Sequence, residues 1–289
     1  MNLRKSERKN AKIKMALQAP SGAGKTYSSL LIAKGLTNGN YSKVAIIDTE
    51  NGSADLYAHL GEYNVLSLKP PYSPESYVEA IDVCLKAGME VIIIDSISHC
   101  WDFLIEYHAS LPGNSFTNWN KVTPRQKTFI NKILQSDAHF IATMRVKQDY
   151  VLNNKNGKMV PEKVGMKAIQ RNDLDYEFTV VFDVDIKHFA KVSKDRTGLF
   201  SDKPEFVITS GVGNQIKEWC NSGTNIVAAR KKINQCNTNE ELNTLYKKYG
   251  IWKDLLNDDF NQQQIKIKNQ QLSNLNNFNQ NGTTNSQIR

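Results

Sequence analysis

The chain predicts an α/β protein: a mainly parallel sheet with helices on both faces, antiparallel strands at one edge, and a small helical hairpin behind it. Three observations lead there. From residue 12 to about 220, strand and helix patterns alternate, and such alternation needs crossover helices and therefore a parallel sheet. The segments VAIID (44–48) and VIIID (91–95) are apolar until they end in an acid, as strands buried on both faces are. A glycine-rich turn separates the first strand from the first helix.

Taken in order, Ile13, Met15 and Leu17 alternate with Lys12, Lys14 and Ala16, a strand of period two. A helix spans Lys25 to Leu36 and is ended by Thr37-Asn38-Gly39. The strand 44–48 follows, then a helix over Pro74 to Ala87, then the strand 91–95, after which Ser96 and Ser98 read as helix caps. A helix from Pro124 to Leu134 leads to the strand HFIATM at 139–144. Segments 178–185, 187–193 and 205–209 read as the antiparallel edge strands. Between Asn225 and Trp252, apolar residues recur at helical spacing on both sides of Asn237-Thr238-Asn239, which reads as a turn and N-cap. The expected organisation is a basic N-terminal arm (1–10), a core (11–222), a helical hairpin (223–256) and a disordered tail (257–289). The tail holds 9 Asn and 7 Gln with few apolar positions, too few to repay the entropy of ordering; it is either inert or a binding segment.

Composition narrows the function. With 40% hydrophobic and 23% charged residues the chain reads as globular, and its longest apolar run is far short of a membrane span. Cys84, Cys100, Cys220 and Cys236 are scattered, without zinc spacing, so a reducing cytoplasm is expected, and no secretion signal is visible. The net charge of +8 is concentrated at the start: six basic residues and Glu7 among the first fourteen contribute +5 of it. The core is nearly neutral, so bulk charge does not establish a nucleic-acid surface.

The chemistry begins at residues 19–26, APSGAGKT, between the first strand and the first helix. The pattern is that of a polyphosphate loop, with Ala19 in place of the usual first glycine. Pro20, Ser21, Gly22, Ala23, Gly24, Lys25, Thr26 and Tyr27 form the candidate nucleotide site. The glycines let the backbone wrap phosphate oxygens against a helix N-terminus. Lys25 neutralises the β- and γ-phosphates, and Thr26 with Asp95 is the candidate pair for Mg²⁺ beside ATP. The acids Asp48 and Glu50 follow the second strand. Glu50 is placed to orient and deprotonate an attacking water, the alternative being that both are solvated loop acids.

Together, APSGAGKT, IIDTENG (46–52) and IIIDS (92–96) resemble the RecA/RadA recombinase core, and more closely the phage- and prophage-encoded RecA-like ATPases grouped as AAA-domain or phage nucleotide-binding proteins. KVTPR (121–125), IATMR (141–145) and SKDRTGLF (193–200) fit that group, and the resemblance spans residues 11–220. It implies a RecA-like P-loop fold, hydrolysis of ATP, and a part in phage recombination or replication on single-stranded DNA in a bacterial cytoplasm. One departure is Arg145, where recombinases carry a glutamine; it contacts either the γ-phosphate or a surface partner. Segment 146–172 follows as a DNA loop would, with Lys147, Tyr150, Lys155, Lys158, Lys163, Lys167 and Arg171 as candidate DNA contacts, and it reads equally as a plain β-hairpin. Trp119 is a stacking residue or, in the favoured reading, a partly buried aromatic. Lys194 and Arg196 resemble the K-x-R element that reaches a neighbouring subunit's γ-phosphate, implying a homo-oligomer; the alternative is a solvated basic turn. An ATP-gated module that recruits a phage partner without touching DNA is the competing function.

Overall fold

The computed structural model describes residues 10–155, 158–171, 174–222, 226–249 and 253–281. One compact unit spans Ala11–Cys220 and a second takes in the chain from Asn221.

In the first unit, β1 (Lys14–Ala19) enters the phosphate-loop turn and α1 (Lys25–Leu36). Then come β2 (Val44–Asp48), β3 (Asn64–Ser67), α2 (Pro74–Lys86), β4 (Val91–Asp95), α3 (Ser98–Ser110) and α4 (Ser115–Gln135). The chain continues through β5 (His139–Lys155), β6 (Lys158–Ala168), β7 (Val180–Val184), β8 (Phe189–Asp195), β9 (Phe206–Val207) and α5 (Ser210–Asn221). The sheet runs β3-β2-β4-β5-β1-β7-β8-β9, with β6 paired to the outer part of β5. All pairs from β3 to β7 are parallel, whereas β7–β8, β8–β9 and β5–β6 are antiparallel. The edge expectation therefore needs one correction: β7 joins β1 in parallel, and at that edge only the β7–β8 and β8–β9 pairings are antiparallel.

Alternation along the central strands divides the core. Met15, Leu17, Ile46, Ile93 and Phe182 face α1 and α5, while Ala16, Ile47, Ile92, Ile94 and Phe140 face α2, α3 and α4. Both faces are covered, which is why these strands are uniformly apolar. α1 meets α5 at Gly35 and Gly213: a Cβ on Gly213 would stand 2.1 Å from the Ile32 carbonyl oxygen, so only glycine allows that approach.

Two helices depart from expectation. α4 begins at Ser115, not Pro124, because Asn114 caps it by accepting from the Phe116 N–H and because Trp119 stacks on Trp101 and His108. That packing carries the helix through Pro124, and half-buried Trp119 is the packed aromatic of the favoured reading. Ser98 does not cap α3; its hydroxyl accepts from the Arg145 N–H at 2.9 Å.

The second unit contains α6 (Ile226–Asn234), α7 (Asn239–Lys248) and α8 (Lys253–Asn281). Thr238 caps α7 by accepting from the Glu241 N–H, the cap read from the sequence. Over residues 257–281 the expected disorder is overturned by α8, and the hairpin gains a third helix; 282–289 lie outside the described residues. Leu256, Phe260, Gln263 and Ile267 fall at helical spacing and are buried, the apolar three against Ala229, Ile233 and Leu242. Four positions on one stripe suffice to dock a helix that composition reads as soluble tail.

The four cysteines are free and buried, and no described helix is long and apolar enough to cross a membrane.

Candidate active site

The register of the parallel strands gathers the chemistry at one end of the sheet, where the central strands finish. Asp48 pairs with Asp95 across β2 and β4, and Ala19 pairs with Arg145 across β1 and β5. Strand ends in register deliver the phosphate loop, both acid-bearing loops and Arg145 to the same place.

The loop's conformation follows from its glycines. Gly22 and Gly24 have φ of 80° and 83°, left-handed values that a side chain resists. Gly24 starts α1 without a side-chain cap, and the first turn carries no acid. The first amide to bond within the helix is that of Ser28, to the Gly24 carbonyl, so those before it face outward as an anion cradle. Lys25 is buried beside this cradle and donates to the carbonyls of Ala19 and Pro20 at 3.2 and 3.0 Å. Burial lowers its pKa, partly countered by Asp95 and Glu50.

Asp95, almost wholly buried at the end of β4, accepts from Thr26 Oγ1 through Oδ2 and from Thr143 Oγ1 through Oδ1, both at 2.5 Å. Burial raises its pKa against the pull of those two hydroxyls. The Thr26–Asp95 oxygen pair fits a hard divalent cation. Among the described residues no three His, Cys, Asp or Glu gather to bind a metal, so such a cation would take its other ligands from phosphate and water.

Asp48 is not a solvated loop acid. It is 2% exposed and accepts from the amides of Glu50 at 2.6 Å and Ala54 at 3.4 Å, folding the loop that presents Glu50. Thr49 joins this loop to β4: its amide donates to the Asp95 carbonyl at 2.8 Å and its hydroxyl accepts from the Ser96 amide at 2.9 Å. His99 Nδ1 lies 2.7 Å from the same hydroxyl. Glu50 itself is held by Arg145 in a two-pronged ion pair, Nε to Oε1 at 2.9 Å and Nη2 to Oε2. Burial works to raise the Glu50 pKa, but the Arg145 hydrogen bonds and charge bring it below the ordinary carboxylate range. Arg145 thus forms a salt bridge while lining the cavity, and its partner is the candidate base.

A cavity of about 540 Å³ joins these groups. Ser21, Gly22, Gly24, Lys25, Thr26 and Tyr27 line it along with Glu50, Asp95 and Arg145. Pro20 and Ala23 shape the loop through the Ala23 amide to the Pro20 carbonyl at 3.4 Å. Residues not foreseen are Thr143 and, lining the cavity, Ser28, Ser53, Tyr57, His188, Val207 and Ile208. Thr143 was within reach of sequence reasoning, since it precedes Arg145 by two on a strand and so shares its face.

The remaining candidates lie elsewhere. Asp195 folds the predicted turn by accepting from the amides of Thr197, Phe200 and Ser201. Lys194 and Arg196 are not presented at its tip, a correction. Lys194 folds back to donate to the Asp175 and Tyr176 carbonyls, and Arg196 donates to that of Tyr176 at 3.0 Å. Because β8 is antiparallel to β7, both sit at the sheet end opposite the cavity. Segment 146–168 is the hairpin alternative, β5 against β6. Lys147 faces Lys167 across it, both exposed; Tyr150 is in register with Lys163 and Lys155 with Lys158. Arg171 donates to Thr123 Oγ1 and Gln126 Oε1, each at 3.2 Å, which ties it to α4. The basic residues of 1–9 lie outside the described residues.

A family model described as an AAA domain matches residues 11–209. No curated protein matches the chain.

Proposed function

The chain belongs to the AAA domain family, which makes it a nucleotide-binding protein of the P-loop ATPase type, and from that premise we propose that it hydrolyses ATP with Mg²⁺ in the cavity beside β1. One observation carries the proposal: an uncapped, acid-free helix N-terminus, a buried lysine, the Thr26–Asp95 pair and Glu50 all border that cavity. Thr26 and the Asp95 carboxylate would hold Mg²⁺, which would neutralise phosphate charge there. The loop amides and Lys25 hold the β- and γ-phosphates. Glu50 orients the attacking water and accepts its proton.

Arg145 is paired with the carboxylate that this step needs. A γ-phosphate offers the guanidinium a more highly charged partner, and its transfer frees Glu50 as it stabilises the phosphoryl group. Lys194 and Arg196 act on a neighbour's γ-phosphate in a homo-oligomer; support for this is their position, too far along the sheet to serve their own cavity. The coupling of hydrolysis to phage recombination or replication on single-stranded DNA rests on the motif resemblance and on the Lys147/Lys167 pair, like charges that an anion between them would relieve.

The Glu50–Arg145 ion pair, which competes with proton transfer to Glu50, favours a second reading, an ATP-gated switch that recruits a protein partner and turns over slowly. ATP hydrolysis measured with and without single-stranded DNA, from low to physiological salt, separates the two. Stimulation by DNA that fades with salt supports the first; slow turnover indifferent to DNA supports the second.

A further inference from the structure

The order of the sheet gives the cavity two unlike ends. β1, which feeds the phosphate loop, lies between β5 and β7. Glu50 in the loop after β2, Asp95 at the end of β4 and Arg145 on β5 all lie on one side of it. On the other side the same cavity is lined by His188, from the turn joining β7 and β8, and by Val207 and Ile208 at β9. The loop lies between these two sides, so a triphosphate whose terminal phosphate meets Lys25 and the acids can run back across it toward the β7 side, with Tyr57 and Tyr27 also on the cavity wall. We propose that His188 and Val207, backed by Ile208, form the subsite for the aromatic base of the nucleotide. The proposal rests on the triphosphate reading above and deepens it.

The local chemistry suits a flat ring with apolar faces. His188 is held in place from two directions. Its backbone is left-handed, with φ of 68°, and the turn is stapled by Asp185 Oδ1, which accepts from the amides of Lys187 and Phe189 at 2.9 Å each. Its Nδ1 lies 3.1 Å from the carbonyl oxygen of Ala23. A carbonyl only accepts, so Nδ1 carries the hydrogen and donates it. The imidazole packs against the phosphate loop so closely that a Cβ on Gly24 would stand 3.3 Å from Nδ1. The ring is thereby fixed as a wall beside the helix N-terminus. Val207, 53% exposed, lines the cavity next to it, and its register partner Phe189, 41% exposed, continues the apolar surface outward. Exposed aliphatic and aromatic groups beside a phosphate cradle gain by being covered, and a base covers them while its phosphates reach the loop.

The test is binding of ATP and of inorganic tripolyphosphate to the full chain, by calorimetry, for wild type, His188→Ala and Val207→Asn. Each substitution is expected to lower ATP affinity about tenfold, the worth of one stacked base, and to leave tripolyphosphate affinity within about twofold. Wild-type ATP affinity in both variants would overturn the subsite, and so would equal losses for ATP and tripolyphosphate, which would mean that the substitutions disturb the loop alone. If the wild type binds neither compound, the triphosphate reading fails and takes the subsite with it. The outcomes thus distinguish the two.

Discussion

Glu50 is a carboxylate under two demands: Arg145 needs it as a counter-ion, and catalysis needs it as a base. The ion pair lowers its pKa, so the carboxylate form persists above the ordinary value near 4.5 and is lost only as pH falls through the lower folded value. If Glu50 is the base, the acid limb of kcat/KM should lie below 4.5, and Arg145→Gln should move it upward while lowering the rate at neutral pH; a pH–rate profile reads both. Glu50→Gln should keep ATP affinity and lower turnover by about 10² to 10⁴, because an amide cannot take the proton. Lys25→Ala strips the cradle of its buried cation and should weaken ATP binding by about a hundredfold, measured by titration with a fluorescent analogue. The residue types at these positions were legible, since a lysine after a glycine turn and an acid after an apolar strand each have a physical reason. That Arg145 rests on Glu50 was not, because the two are 95 positions apart.

At the scale of elements, β1 and β5 are locked together at the end remote from the cavity. His139 Nδ1 accepts from the Ile13 amide at 3.1 Å, and burial pushes the His139 pKa down to about 3. Lys14, lowered by burial to about 8, donates to the Ser136 and Ala138 carbonyls at 2.7 and 2.5 Å. A histidine kept neutral by folding contributes stability above its unfolded pKa of 6.5, and that stability drains away as pH falls toward 3. Urea midpoints should therefore fall steadily below pH 6.5, and His139→Gln should flatten that slope. α2 and α4 are tied by Glu75 and Arg125, whose hydrogen bonds hold the Glu75 carboxyl down at about 2; the pair is exposed and screened, so its share of stability is small. Most elements were readable from periodicity. α4 and α8 were not, since capping and packing override a proline in one and a polar composition in the other.

For the whole molecule the open issue is assembly. If Lys194 and Arg196 serve a neighbour, Arg196→Ala should spare ATP binding and suppress hydrolysis, and mixing it with Glu50→Gln should restore part of the activity. Rescue follows because some mixed interfaces pair an intact Glu50 with an intact arginine. Specific activity that is independent of protein concentration, with no rescue on mixing, would sink the idea. The basic arm calls for a deletion that stops at residue 10, because the Ala11 amide already bonds to the Cys220 carbonyl at 3.0 Å and β1 begins at Lys14. Removing residues 1–10 takes away four basic groups and one acid, and the salt slope of any DNA affinity should flatten accordingly.

What the sequence alone determined is local: the strand and helix periods, the glycine turn before Lys25, and the acids Asp48 and Asp95 that close two buried strands. These are properties of short segments, carried by side-chain alternation and backbone preference. The tertiary structure decided everything that depends on register and strand order. It set Asp48 beside Asp95, laid Thr143 on Asp95 and Arg145 on Glu50, brought His188 against Gly24 from 164 residues away, and folded Lys194 and Arg196 back onto Tyr176. Such contacts leave no periodic trace in the chain, because pairing across a sheet joins residues whose separation in sequence is unconstrained.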